Sequence, residues 1–202
     1  NRYYEEEQIK FLINFINQYN VTYFIDVGAN IGVYSLRLSK QFQHLKVFAV
    51  EPHKYAFARL ENNIRINNLE KNITAFNCAL SNRDGHAKLS SNERFNTKQS
   101  GGAKISEDGD FPITQKLGDD LFNFSNQTVA IKIDVEGFEI NVLKGLNNFF
   151  SNNNICLQIE IFEKNFPKVS EYLKQMNFKL IHSDNFTHES EVSDYFFLNF
   201  SV

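Results

Sequence analysis

The sequence lacks the features that mark several classes of protein. Its 202 residues include no Trp, 3 Pro and 1 Met. No apolar run approaches the roughly twenty residues that a membrane-spanning helix needs. The N-terminus shows no signal-peptide pattern. We therefore expect a cytoplasmic protein with no membrane span.

The chain also has few cysteines and no net positive charge. Cys78 and Cys156 are the only cysteines, and they lie in predicted strands in different parts of the chain. We interpret both as reduced core thiols of a protein from a reducing compartment. The net charge of −3 gives no general attraction for phosphate backbones, which argues against a nucleic-acid partner.

Phenylalanine, by contrast, is abundant. The chain has 21 Phe, and its 42% hydrophobic and 22% charged residues are ordinary for a globular protein. The length suits one domain with a sizeable core. No repeat or linker divides it, so we predict a single domain over residues 1–202. The first residue is Asn1 rather than methionine, which is compatible with a domain taken from a larger protein.

The spacing of apolar residues predicts helices that alternate with strands. An amphipathic helix is expected over residues 5–19, within an N-terminal helical segment of residues 1–20. Alternation at this rhythm indicates βαβ units, and so a mostly parallel sheet with helices on both faces. The predicted strands are residues 23–27, 47–50, 73–80, 129–134, 155–161, 178–182 and 195–200, and one of the helices between them runs from Phe138 to Phe149.

Residues 90–110 interrupt this rhythm. The stretch is polar and contains Gly101-Gly102 and Asp108-Gly109, which are turn signals. We predict a long surface loop here. Loops of this length are often functional or disordered, so the stretch is either a mobile lid over an acceptor site or a solvated excursion.

The segment FIDVGANIGVYSL, from Phe24 to Leu36, follows the pattern of a strand, a glycine turn and a helix. Gly28 and Gly32 permit positive φ and close backbone approach. Asn30 stands where a dinucleotide-binding turn has its middle glycine, the residue that lets the backbone meet a pyrophosphate. A side chain there suits a ligand with an amino-acid end. Asp26 likewise favours a cationic ammonium over a phosphate.

Glu51 ends the second strand, where an acid can accept hydrogen bonds from both hydroxyls of a ribose. The alternative is a surface acid ahead of a proline turn. With Asp26 and Asn30, Glu51 indicates an adenosine ligand that carries an amino-acid end, namely S-adenosylmethionine. Tyr34 is a candidate cation–π partner for the sulfonium, although its helical spacing favours packing.

Four segments together resemble the FkbM family of S-adenosylmethionine-dependent methyltransferases: FIDVGANIGVYSL, VEP, NCALSNRDG and KIDVEGFEINVLKG. The resemblance runs from about residue 24 to 161. It implies the α/β class I methyltransferase fold, which is Rossmann-like, with a seven-stranded, mostly parallel sheet and an antiparallel last strand. It also implies S-adenosylmethionine as methyl donor, with S-adenosylhomocysteine as product. The cofactor-binding residues predicted on these motifs are Asp26, Gly28, Ala29, Asn30, Gly32, Tyr34, Glu51, Pro52, Asn77, Ala79 and Asp134.

The same resemblance implies O-methylation of a sugar hydroxyl in a glycan or glycoconjugate. A 6-deoxyhexose such as rhamnose or fucose is expected on that ground alone. More distantly, the chain is similar to the methyltransferase end of a large chlorovirus protein that also carries glycosyltransferase domains. That similarity implies covalently linked glycosyltransferase domains as partners and, for a viral source, the host cytoplasm as location.

Lys132, Asp134 and Glu136 alternate around the end of the fourth strand and are predicted catalytic residues. Methyl transfer depends mostly on positioning, with help from a general base. We predict that Asp134 is this base or orients the acceptor; the alternative is a helix cap. Glu136 and Glu139 are alternatively favourable charges in the first turn of the next helix. A Lys132–Asp134 pair would lower the pKa of Asp134 and make it a poorer base.

Glu160, the fourth predicted catalytic residue, ends the fifth strand. This strand should neighbour the fourth, so Glu160 and Asp134 are expected to converge. Two carboxylates suit Mg²⁺, which would activate a sugar hydroxyl, but we do not favour a metal because only two ligands are visible. Glu163 is a further candidate on the acceptor side. His53 and His182 follow strand ends, where a structural role is the commoner one.

Other functions fit the sequence less well. A nucleic-acid base methyltransferase would need aromatic residues after the fourth strand to stack a flipped base, and Asp134-Val135-Glu136-Gly137 has none. A nicotinamide oxidoreductase is disfavoured by Asn30. The remaining alternative is a domain of a larger glycan-synthesis protein that binds S-adenosylmethionine or a glycan without turnover.

Overall fold

A computed structural model describes residues 6–94, 97–184 and 191–201. None of the helices in these ranges is both long and apolar enough to cross a membrane. The helices are α1 Glu6–Tyr19, α2 Val33–Gln41, α3 Lys54–Ile66, α4 Gly118–Leu121, α5 Glu139–Lys144, α6 Asn147–Ser151 and α7 Phe166–Gln175, with a 3-10 turn at Glu163–Asn165. The strands are β1 Tyr23–Val27, β2 Lys46–Val50, β3 Ile73–Phe76, β4 Ala79–Ser81, β5 Gly85–Arg94, β6 Thr97–Ile105, β7 Phe111–Leu117, β8 Thr128–Ile133, β9 Asn154–Phe162, β10 Lys179–Asp184 and β11 Val192–Leu198.

A seven-stranded sheet forms the centre of the molecule, in the order β10-β11-β9-β8-β1-β2-β3. β11 is antiparallel to both of its neighbours, while the other adjacent strands are parallel. The strand order reverses at β1 and β8, so the loops after these strands flank the crevice where α/β sheets bind ligands. The predicted class I methyltransferase fold, with its antiparallel last strand, is confirmed.

The two faces of this sheet carry separate apolar layers, because successive side chains of a strand point to opposite faces. Ile25, Ile131 and Leu157 belong to the layer that packs against α4 to α7. Phe24 and Cys156 belong to the layer that packs against α1, α2 and α3. Each face is therefore covered by helices, as predicted.

Both cysteines are buried and free, as expected of two core thiols. Burial raises the pKa of the Cys78 thiol to about 11 and that of Cys156 to about 12. Both thiols therefore keep their protons at neutral pH, and neither has the character of a nucleophile or metal ligand.

A second sheet corrects the prediction for residues 90–110, which was a long surface loop. β5 pairs with β6 and β7, and the order of the sheet is β4-β7-β5-β6. Most of the stretch is therefore a hairpin; residues 95 and 96 lie outside the described residues. The apolar core of the small sheet is small. Its strands are joined by backbone hydrogen bonds, which cannot be predicted from the pattern of side chains. The residues of this core are Ala79, Leu89, Phe111 and Ile113.

The predicted strand over residues 73–80 is wrong in extent, because it is two strands in two different sheets. β3 closes the large sheet, and β4 begins the small one. Between them the Asn77 side chain donates from Nδ2 to the carbonyls of Glu51, at 2.8 Å, and Pro52, at 3.2 Å. These bonds hold the chain where it leaves the large sheet.

The single helix predicted from Phe138 to Phe149 is likewise two helices, α5 and α6. Gly145 ends α5. A Cβ atom on Gly145 would lie 2.0 Å from the carbonyl oxygen of Ser81, so the close approach of β4 requires glycine here. The helical spacing of the apolar residues hid this break, because both short helices face the same core.

Candidate active site

The turn between β1 and α2 has three residues in the left-handed region: Gly28 with φ +81°, Asn30 with φ +51° and Gly32 with φ +92°. The predicted positive φ of both glycines is confirmed. The close approach that these glycines permit is to other parts of the protein, whereas the sequence suggested a bound ligand. A Cβ atom on Gly28 would lie 1.9 Å from the carbonyl oxygen of Asp134, and one on Gly32 would lie 2.6 Å from Leu60 Cδ1. The glycines thus admit neighbouring protein atoms.

Asp26 lies beneath this turn and is 1% exposed. Its Oδ2 accepts hydrogen bonds from the backbone N of Ser35, at 3.2 Å, and from Ser35 Oγ, at 2.6 Å. These bonds tie β1 to the first turn of α2. Within the described residues, Oδ1 of Asp26 is buried with no hydrogen-bond partner. Burial raises the pKa of this carboxyl.

Glu51 is buried at the end of β2, so the alternative of a surface acid is wrong. Its Oε2 accepts from the backbone N of Asn30 at 2.8 Å, and its Oε1 accepts from the backbone N of His53 at 2.7 Å. Each oxygen keeps a second lone pair for another donor. Burial raises the pKa of Glu51 to about 7. The turn, Glu51, Pro52 and Asn77 are therefore joined in one hydrogen-bonded group.

Two other predicted cofactor residues are buried in apolar surroundings. Ala29 belongs to the layer under α1 to α3, and Ala79 to the core of the small sheet. Tyr34 is also buried, as the packing alternative predicted. The cation at its ring is Lys132, whose Nζ lies 4.7 Å from the ring centroid. The Tyr34 hydroxyl accepts a hydrogen bond from Gln158 Nε2 at 3.2 Å.

Polar side chains form two rows across the face of the large sheet that α1 and α2 cover. Strand register places residue 26 beside residue 132, and residue 132 beside residue 158. The second row lies two residues further along β8 and β9, and there residue 160 is beside residue 194. The first row is Asp26, Lys132 and Gln158; the second is Asp134, Glu160 and Asp194.

The predicted convergence of Asp134 and Glu160 is confirmed, because Asp134 accepts a hydrogen bond from Glu160. Burial and the charge of Asp134 raise the pKa of Glu160 to about 9, so Glu160 keeps its proton at neutral pH. Asp134 is ionised there: burial alone would raise its pKa, but Lys132 and the bond from Glu160 hold it below the ordinary value. The predicted Lys132–Asp134 pair is also present, with Nζ 3.0 Å from Oδ2.

The chain turns sharply after Asp134. Glu136 has φ +53° and Gly137 φ +101°, so a non-glycine residue adopts the left-handed conformation. Such residues cluster at functional sites. Burial and Asp134 raise the pKa of Glu136, while Lys104 and Lys132 oppose this rise. Glu136 is half-buried and precedes α5, so it is not a first-turn charge of that helix.

Asp134 does not cap α5, so the helix-cap alternative is wrong. The cap residue is Phe138, which has no side-chain cap bond. Glu139 is in the first turn of α5, as its alternative predicted, and its Oε1 accepts from the backbone N of Gly137 at 2.6 Å. Asp134 is therefore engaged with Lys132 and Glu160 instead.

Two residues of these rows, Gln158 and Asp194, and their contact Gln8 on α1 were not predicted; the two rows are called the acidic rows below. Gln158 Nε2 donates to Asp194 Oδ1 at 2.8 Å, and Gln8 Nε2 donates to Oδ2 at 3.3 Å. Helix α1 is thereby linked to the acidic rows. Alternation along β9 places Gln158 on the same face as Glu160, which is a signal that the sequence carries. No sequence signal reports the register that places residue 194 beside residue 160.

The other acceptor-side candidates have structural contacts. His53 is buried, and its Nδ1 accepts from the backbone N of Ala56 at 3.4 Å, at the start of α3. His182 stacks on Phe11, with ring centroids 4.7 Å apart. The structural alternative for both histidines is thus confirmed. Glu163 accepts a hydrogen bond from the Tyr195 hydroxyl at 2.9 Å.

The alternative metal site would use Asp134 and Glu160 as ligands. This pair holds a proton at neutral pH. A cation would have to displace that proton. Within residues 6–94, 97–184 and 191–201, no three or more His, Cys, Asp or Glu side chains are grouped so as to hold a metal ion. A metal at this pair stays an untested alternative that we do not favour.

A comparison with known protein families identifies the family of this chain. A model of the methyltransferase FkbM domain matches residues 26–180. The chain belongs to the FkbM methyltransferase family. The resemblance inferred from the four motifs is therefore confirmed, and the match includes all of the predicted catalytic and cofactor residues, from Asp26 to Glu160. Asp194 of the second row and Gln8, which donates a hydrogen bond to it, lie outside the matched residues.

Curated relatives of this FkbM-family chain include a hexuronic acid methyltransferase. Hexuronic acid methyltransferase AglP of Haloferax volcanii is 30% identical over 166 residues, which cover 81% of this chain and 65% of AglP. Methyltransferase 1 of Beauveria bassiana is 24% identical over 148 residues, which cover 63% of this chain and 59% of that protein. The chain thus spans about three fifths of the length of these relatives.

A solved structure shows the same fold. A protein of Streptococcus pneumoniae described as a putative tRNA (m1A22) methyltransferase, in complex with S-adenosylmethionine, has a TM-score of 0.58 and 11% identity. The similarity covers 96% of this chain and 72% of that one. At this identity the similarity concerns the fold alone.

Proposed function

We propose that the chain is an S-adenosylmethionine-dependent O-methyltransferase that acts on a sugar hydroxyl of a glycan or glycoconjugate. The observation that carries this proposal is the contact between Gly28 of the glycine turn and the backbone of Asp134. The turn and the Asp134–Glu160 pair thereby share one edge of the sheet. A donor held at the turn would lie beside the carboxylate that receives the acceptor.

The residues at the turn fit S-adenosylmethionine. The buried Oδ1 of Asp26 lacks a partner among the described residues and suits an ammonium group. Glu51 keeps lone pairs for the ribose hydroxyls. The backbone N of Asn30 donates to its carboxylate, and Asn77 holds the backbone carbonyls of Glu51 and Pro52. When bound, S-adenosylmethionine supplies a methyl group on an electrophilic sulfonium.

Asp134 is the residue proposed to receive the acceptor hydroxyl. Its ionised carboxylate accepts the hydrogen bond of that hydroxyl, while Lys132 and Glu160 hold its orientation. The hydroxyl proton passes to the carboxylate as the oxygen is methylated. Because Lys132 lowers the basicity of Asp134, orientation contributes more to the rate than proton removal.

A sugar acceptor is supported by the relative AglP, whose name gives hexuronic acid as what it methylates. A 6-deoxyhexose acceptor and linked glycosyltransferase domains rest on the family resemblance alone and stay predictions. The alternative function is binding of S-adenosylmethionine or a glycan without turnover. The low basicity of Asp134 is the observation that favours it.

The test is calorimetric binding of S-adenosylmethionine, followed by transfer of a radiolabelled methyl group to a panel of sugar glycosides. Each transfer assay is run with and without a chelator. We expect micromolar cofactor binding and labelled glycoside in both arms. Lack of cofactor binding would refute the proposal. Binding without transfer to any glycoside would favour the non-catalytic alternative, and loss of transfer with the chelator would support the metal site.

A further inference from the structure

Phe162, the last residue of β9, has a lysine ammonium from each of two different elements at its ring. Lys104 Nζ of β6 lies 4.5 Å from the ring centroid, and Lys164 Nζ of the turn after β9 lies 5.7 Å from it. We call these three residues the Phe162 platform. Two like charges repel each other at one ring, so an anion placed there would be stabilised by both.

The Phe162 platform adjoins the Asp134–Glu160 pair. Phe162 follows Glu160 by two positions in β9, so both side chains are on the same face of the sheet. Lys104 is near enough to Glu136 to oppose the burial that raises the pKa of its carboxyl. The hairpin of β5 and β6 therefore brings Lys104 over the carboxyl ends of β8 and β9.

The charges that face the Phe162 platform leave its lysines accessible. Both lysines are exposed, and within the described part of the chain neither forms an ion pair with a carboxylate. Glu163 is next to the platform, but its Oε1 accepts the Tyr195 hydroxyl. Glu136 lies on the side of Asp134. A ligand over the ring would thus lie next to two lysines that form no ion pair among the described residues.

We propose that the acceptor is an acidic sugar, whose apolar C–H face packs on Phe162 and whose acid group pairs with Lys104 and Lys164. The inference rests on the proposed function and names the substrate class for it. Because both ammonium groups lie over the ring, binding would move them onto the sugar carboxylate and leave a ring face for the C–H side of the pyranose. A hydroxyl of that sugar then points toward Asp134. This acceptor differs from the neutral 6-deoxyhexose expected from the resemblance.

The test compares a p-nitrophenyl glucuronide with the matching glucoside, which differ only in the acid group. Wild-type chain is expected to methylate the glucuronide with the higher kcat/KM. In the K104Q/K164Q variant the preference should fall by about threefold to tenfold, since each exposed ion pair is worth only a small free energy. The loss should be in KM and should shrink in high salt. Lys40→Gln, at an exposed lysine of α2, is the matched control and should keep the preference.

Direct binding separates this inference from the proposed function. Glycoside binding is measured by calorimetry in the presence of S-adenosylhomocysteine, so no turnover is needed. The platform would be supported if wild type binds the glucuronide more tightly than the glucoside and the double variant loses this preference. That support would hold even if no sugar were methylated. Equal binding of the two glycosides, or an equal loss for both in the double variant, would overturn it. A sulfated glucoside that binds as tightly as the glucuronide would support the platform and widen its ligands to other anionic sugars.

Discussion

The donor side and the acceptor side of the proposed site are built from different kinds of contact. On the donor side, backbone N–H groups hold the carboxylates of Asp26 and Glu51. On the acceptor side, Asp134 is held by the side chains of Lys132, two residues earlier, and of Glu160, on the neighbouring strand. The donor side therefore depends mainly on main-chain conformation, whereas the acceptor side depends on which side chains the paired strands bring together.

The largest expected effect is on the donor side, at Gly28. Substitution to alanine would place a Cβ atom 1.9 Å from the Asp134 carbonyl at a φ of +81°. Left-handed strain and overpacking together are expected to cost about 3 kcal/mol or more of unfolding free energy. Gly137→Ala is the matched control, because its φ is +101° but its Cβ atom would meet nothing within 4 Å.

We expect Gly137→Ala to cost about 1 to 2 kcal/mol, the strain alone. Urea unfolding of both variants measures the difference. Equal losses would mean that the contact between the turn and Asp134 relaxes, and that the two sides are less rigidly joined than the structure indicates.

The next effect is on the acceptor side, at Asp134. Asp134→Asn removes the charge but keeps the shape, and is expected to lower kcat by about 10²-fold, the low end for a general base, because Lys132 already lowers the basicity of Asp134. The affinity for S-adenosylmethionine should change little, since the donor side keeps its backbone contacts. Transfer of labelled methyl to the best glycoside, with calorimetry of the cofactor, checks both. Asp120→Asn, at an exposed carboxylate of α4, should change neither kcat nor the affinity for S-adenosylmethionine. Unchanged turnover in Asp134→Asn would mean that Asp134 has no role in the mechanism.

The donor side and the acceptor side should also differ in the pH range over which they change the free energy of unfolding. Folding raises the pKa of Glu160 from 4.5 to about 9, so the folded state binds more protons than the unfolded state between these values. The contribution of Glu160 to the unfolding free energy therefore falls as pH rises through this window. On the donor side the pKa of Glu51 reaches only about 7, and its contribution to the slope ends near neutral pH.

Glu160→Gln cannot ionise but still donates to Asp134. Relative to wild type, the variant should gain up to about 1.4 kcal/mol for each pH unit between pH 6 and pH 9. Urea unfolding at several pH values measures this gain, with Glu70→Gln as an exposed control that should show none. A difference that stays constant with pH would contradict the proton shared by Asp134 and Glu160.

The smallest expected effect is at Gln8, which joins α1 to the acidic rows. Gln8→Ala removes the 3.3 Å bond to Asp194 Oδ2 and leaves that buried oxygen with one donor fewer. We expect a loss of about 1 kcal/mol in unfolding free energy and a change in kcat below about threefold. Gln18→Ala, at an exposed position of the same helix, is the matched control. A large fall in kcat would show that α1 positions the carboxyl pair.

The elements and site residues that the sequence predicted correctly share a local origin. The turn of Gly28 to Gly32 and the Lys132–Asp134 pair each depend on residues a few positions apart, whose geometry follows from strand and turn conformations. The hairpin of β5 and β6 was missed because it packs few apolar residues and its pairing uses backbone groups. Predicted helix and strand limits failed at Asn77 and Gly145, where contacts with other elements break a continuous pattern.

By itself, the sequence determined the alternation of strands and helices, the glycine turn and the family, because hydrophobic period and short motifs are local properties of the chain. Tertiary structure alone decided which further side chains join Asp134 and Glu160 at the acceptor side. Asp194 reaches Glu160, and Lys104 reaches Phe162, through strand register and the placement of a hairpin. Those depend on packing between segments far apart in the chain, and packing is also what raises the pKa of Glu160 while Asp134 stays ionised.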